Sequence, residues 1–123
     1  MGLDIFLLNE KEEQLADFRK INFVMGWLCR TFETNPEEVN LKPILLSKEK
    51  LNDLIDKTET IINAKSNSDD WKEIAKSTLP IYEGFFFGSY EYDDYYYGRI
   101  RFVHNSLKNI INTEQDIRIV CWW

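Results

Sequence analysis

The chain of 123 residues has one histidine, two cysteines, five glycines and three prolines. A single histidine removes most metal and acid–base constellations before any motif is sought. There is no glycine-rich phosphate loop, no Cys-x-x-Cys pair and no nucleophile elbow. Positive charge is short as well: 15 Lys and Arg stand against 21 Asp and Glu, a net charge of −6. That balance argues against a protein built to grip nucleic-acid phosphates or an anionic membrane surface. No apolar run approaches the ~20 residues that a membrane helix needs. The first ten residues have no basic start and only a short apolar stretch, so no signal peptide is expected. Cytoplasm is therefore the expected compartment, with Cys29 and Cys121 as reduced thiols.

Aromatic residues are plentiful: eight Phe, six Tyr and four Trp, or 15% of the chain. Together with an apolar content of 44%, they supply enough for a real core and exclude a disordered chain. The length suits one domain spanning residues 1–123.

The apolar run at residues 3–8 (LDIFLL) reads as a buried strand. Carboxylates at Glu10, Glu12 and Glu13 then resemble the first turn of a helix. Leu15, Phe18, Ile21, Met25, Leu28, Cys29 and Phe32 recur at steps of three and four, which predicts a helix to about Glu33. Residues 34–46 read as a connection with a short extended piece near 44–46. Ser47 is a candidate N-cap for a second helix, with Leu51, Leu54, Ile55, Thr58, Ile61 and Ile62 as its buried stripe. Asp69 or Asp70 opens a third, shorter helix that Pro80 stops. Residues 81–98 read as an ordered aromatic loop, and Ile100, Val103, Leu107 and Ile110 mark a last helix from Arg99. His104 lies on that helix without a placed partner and reads as structural. The final IRIVCWW is a β-branched and aromatic strand. Two short apolar strands at opposite ends of the chain need partners for their backbone groups, and pairing with each other provides them. The expected fold is a single α+β domain, about four helices on a small sheet that includes both terminal strands.

Two features could carry binding. On the first helix, Arg19, Asn22, Gly26 and Arg30 fall in a row at spacings of three, four and four. A guanidinium, an amide and a small gap could receive a planar or anionic group, with Phe23 and Trp27 beside them for stacking. The plainer reading pairs Arg19 and Arg30 with carboxylates and lets Asn22 tie down a loop. The second feature is the stretch 84–98 (GFFFGSYEYDDYYYG), in which Gly88 and Ser89 could present backbone N–H groups to an anion. Its Phe and Tyr side chains, Phe86, Tyr92 and Tyr96 among them, have the composition of a contact surface. Glu91, Asp93 and Asp94 could hold a divalent cation, a weak signal without loop geometry.

The opening MGLDIFL, the segment FRKINFVMGWL and the later GFFFGSYEYDDYYY together resemble a family of small bacteriophage and bacterial proteins of uncharacterised activity. Its members start MGLD followed by two hydrophobics and Leu, carry Trp-Arg-Lys-x-Asn before a Trp, and contain Gly-Phe-Phe-Phe-Gly-Ser followed by Tyr-Asp and Tyr. The matching positions here are Met1 to Asp4, then Arg19, Lys20, Asn22 and Trp27, then Gly84 to Ser89, Tyr92, Asp93 and Tyr96. Phe18 replaces the family's usual aromatic, and Met25 stands where a histidine is usual, which counts against histidine-based chemistry. The resemblance implies a phage or prophage setting and joins the helix row and the aromatic stretch into one shared pattern.

The expected function is a non-enzymatic binding protein with its site between the first helix and residues 84–97. Arg19 and Asn22 would contact polar or anionic atoms, and Trp27, Phe86 or Tyr92 would stack. Ser89, Asp93 and Tyr96 complete the candidate set. No catalytic residue, metal or cofactor is assigned. The expected partner is a small nucleotide-like ligand, in a phage setting a host defence signal. The alternative is an acidic interaction module that docks on a host protein through its Tyr- and Phe-rich loop. Direct nucleic-acid and membrane binding are not expected, a homo-oligomer is allowed, and an enzyme ranks third.

Overall fold

Two apolar runs from opposite ends of the chain meet at the centre of one sheet. In the computed structural model, which describes residues 2–83, 91–112 and 116–123, strand β1 (Asp4–Leu8) pairs antiparallel with β4 (Ile117–Trp122). Ile5 lies opposite Cys121 and Leu7 opposite Ile119. Strand β2 (Gln14–Asp17) adds to the other side of β1, and β3 (Ile44–Leu46) to the other side of β4. The strand order is β2-β1-β4-β3, antiparallel throughout. Five helices among the described residues complete a small α+β domain: α1 (Asn22–Thr31), α2 (Pro36–Val39), α3 (Lys48–Asn67), α4 (Trp71–Thr78) and α5 (Asp94–Ile110).

The helix expected over residues 10–33 starts only at Asn22. Asn9 is the first reason. Its side-chain oxygen accepts from the backbone N–H of Lys11 and of Glu13, both at 2.9 Å, and this local turn wins over a helical start. The chain doubles back as β2, and Phe18 and Lys20 donate their N–H groups to the carbonyls of Ile5 and Leu3. Lys20 has φ 59°, which a right-handed helix cannot contain. Phe18 and Ile21 are buried all the same, because an apolar spacing of three serves a strand end and a turn as well as a helix.

The loop expected over 81–98 is also shorter than the sequence suggested. Asp93 caps α5, its carboxylate accepting from the Tyr96 N–H at 3.0 Å, so Asp94 to Gly98 are helical. Ser47 caps α3 by accepting from Lys50 N–H at 3.2 Å, as its position implied.

Helix α1 is buried on every side from Asn22 to Cys29. That is the pattern of a helix inside a core rather than on it. Trp27 donates its indole N–H to Asp53 of α3 at 2.9 Å, and Phe23 packs edge-on against Tyr96 of α5, centroids 5.4 Å apart. The inner face of the sheet, Ile5, Leu7, Ile117, Ile119 and Cys121, belongs to the same core. Cys29 and Cys121 are both free and buried. Burial holds the Cys29 thiol above its ordinary pKa and pushes that of Cys121 up to about 12. No described helix is long and apolar enough to cross a membrane.

Candidate functional site

The start of α1 meets the start of α5, and a small recess, open to solvent on one side, lies between them. Ile21, Asn22 and Phe23 form one wall, Tyr95, Tyr96 and Arg99 the other, with Lys20 and Glu91 also lining it. The local sequence makes this possible. The left-handed turn at Lys20 swings the chain directly into α1, so the helix begins with Ile21 at its cap position. No side chain caps α1 among the described residues, and its first turn has no acidic residue. The partial positive charge of a helix N-terminus therefore faces the recess, in which Glu91 is the one carboxylate among the described lining residues.

Arg99 sits at the centre. Its Nη2 donates to the carbonyl oxygen of Arg19 at 2.7 Å, and its guanidinium carbon lies 5.5 Å from the Tyr95 ring centroid and 5.6 Å from that of Phe102. Its Nε is buried and has no acceptor among the described residues. A buried donor on a cation that lacks an acceptor is costly, and native structures rarely leave one so. An oxyanion entering the recess would supply the acceptor.

The sequence-derived candidates divide. Asn22 and Tyr96 line the recess. Arg19 contributes its backbone oxygen to Arg99, while its side chain, 67% exposed, pairs with Asp4 at 3.6 Å. That is the pairing the plainer reading of the row expected. Gly26 is no open gap: a Cβ there would stand 2.9 Å from Nη1 of Arg30 and 3.2 Å from the Tyr82 Cβ. Trp27 is 1% exposed, so its ring belongs to the core and presents no stacking face to solvent. Tyr92 is half-buried; its hydroxyl oxygen accepts from Ile81 N–H at 2.9 Å and its ring lies 5.0 Å from that of Tyr96. Asp93 is spent on the α5 cap. Phe86 and Ser89, with the proposed anion-binding glycine turn, lie outside the described residues. Among the described residues, Glu91, Asp93 and Asp94 form no cluster that could hold a metal.

Tyr96 is also structural. Its ring packs between Phe23, Tyr92 and Trp71, and its hydroxyl donates to the Leu79 carbonyl at 2.8 Å. Burial raises its phenol pKa strongly, with the neighbouring Tyr92 adding to the effect, so it stays a neutral donor.

Lys20, Tyr95 and Arg99 were not singled out from the sequence as site residues. The signal was the N-cap pattern Asp93-x-x-Tyr96. Starting α5 there puts Tyr95, Arg99 and Phe102 on one stripe at steps of four and three.

The fold and the recess define a small α+β domain with a cationic, aromatic-walled pocket at a helix start. No protein-family model, curated protein or solved structure matches the chain.

Proposed function

We propose that this chain is a non-enzymatic binding protein whose recess between α1 and α5 takes the phosphate end of a small nucleotide-like ligand. The observation that carries the reading is the buried Arg99 Nε, which has no acceptor among the described residues, beside Lys20 and a start of α1 that none of their side chains caps. Two cations and a helix N-terminus suit a phosphate. Tyr95, 57% exposed at the mouth, offers a face on which a base can stack. The recess is too small for a whole nucleotide, so the base lies outside on the aromatic ridge. The resemblance to small phage proteins adds the setting: holding a host signal nucleotide out of circulation.

The test is mass spectrometry of the protein purified without dialysis, followed by denaturation and recovery of whatever it carries. A nucleotide recovered chemically intact supports the reading. Its steady conversion by pure protein would replace a binding protein with an enzyme.

A further inference from the structure

An antiparallel sheet with one face in water usually alternates apolar and polar residues along each strand. This sheet does not. Its inner positions are apolar, and most of its outer ones are too. On β1 the outward residues are Asp4, Phe6 and Leu8, and on β4 Arg118, Val120 and Trp122. Leu45 of β3 joins them. The register sets Phe6 beside Val120, and Arg118 between Leu8 and Leu45. Trp122 is 57% exposed and Leu45 54%. Near-continuous apolar strands are the mark of a sheet covered on both sides, and this chain's helices pack on the inner face, where the buried set lies.

The charges on the outer face indicate what covers it. Asp17 of β2 flanks Phe6 on one side of β1, and Arg118 of β4 flanks Leu8 on the other. Neither makes an ion pair among the described residues, whereas Asp4, the other outward acid of β1, is paired within the chain by Arg19 at 3.6 Å. An acid and a base on opposite sides of one apolar strip are self-complementary. A two-fold axis running along β1, between two facing sheets, swaps the sides. It brings Arg118 within reach of the partner's Asp17 across the usual ~10 Å sheet spacing and packs the apolar strips together.

We propose that the outer face of the sheet is a homodimer interface, its occupant a second copy of this chain in a face-to-face packing. It lies on the far side of the sheet from α1 and leaves the recess open.

The test is sedimentation equilibrium of the full chain over a concentration series. The expected mass rises with concentration from 14.7 kDa towards twice that value. Trp122→Lys and Leu45→Lys, both at positions exposed in a single copy, should each weaken the dimer about tenfold or more, with melting curves confirming that they fold. Arg118→Glu and Asp17→Lys should each weaken it as well, and the double exchange should recover what either alone loses. A chain that stays at 14.7 kDa up to about 1 mM overturns the proposal, since even a weak specific dimer would show there. So does a dimer that Trp122→Lys leaves intact, or a double exchange no tighter than its single variants.

Discussion

The two ends of α1 carry the same kinds of residue and meet opposite fates. Towards its C-terminus the space is filled: the Trp27 indole N–H reaches Asp53 at 2.9 Å, and Arg30 and Tyr82 crowd the space beside Gly26. Towards its N-terminus the helix has no side-chain cap among the described residues and no acidic residue in its first turn, and the neighbouring Arg99 keeps a buried donor without an acceptor among them. Satisfied polar groups stabilise a fold, and an unsatisfied buried one costs stability. The difference separates a closed end from an open one within the ten residues of α1.

Changes at the closed end should act on stability. The largest effect is expected from Trp27→Ala, which empties a fully buried site and removes the indole's bond to Asp53: a loss of about 3–5 kcal/mol by denaturant titration. Binding at temperatures where that variant is folded should be unchanged. Alkaline pH acts next, through Cys121. Its folded pKa lies above the unfolded value, so the neutral thiol's contribution is whole below about pH 9 and fades as pH rises towards 12. The slope from this one group is at most about 1.4 kcal/mol per pH unit, and Cys121→Val should flatten that part of a stability–pH curve. Tyr96→Phe removes the bond to the Leu79 carbonyl and should cost about 1–2 kcal/mol, read from the same titration. Arg19→Ala should be smallest, within about 0.5 kcal/mol, because its exposed pair with Asp4 is weak and its backbone oxygen stays in place for Arg99.

Much of the frame could be read from residue order. The apolar runs at the two ends became the central strand pair, and Ser47 capped the helix it precedes. The failures have physical causes. Asn9 outcompeted a helical turn with its own side chain, and Lys20 adopted a left-handed backbone that no propensity marks. The site was half legible. Asn22 and Tyr96 reach the recess, but the helical row that was to hold Arg19, Asn22 and Gly26 together depended on a helix through residue 20. Arg99 stayed hidden because its role comes from meeting a carbonyl 80 positions earlier in the chain, a pairing that spacing along one element does not reveal. Trp27 looked like a stacking face because sequence alone does not tell a helix with one buried side from one buried all round.

The recess is tested most directly by calorimetric titration of the wild type and Arg99→Ala with adenosine monophosphate, alongside their melting curves. Arg99→Ala should bind roughly tenfold to a hundredfold more weakly, the loss of a charge-assisted hydrogen bond, while its stability shifts by no more than about 1 kcal/mol. Arg99→Lys should recover only part of the affinity, since an ammonium lacks the planar fork. An Arg99→Ala variant that binds as the wild type does, or that melts far earlier, would make Arg99 a structural brace and contradict the assignment of this recess as the binding site.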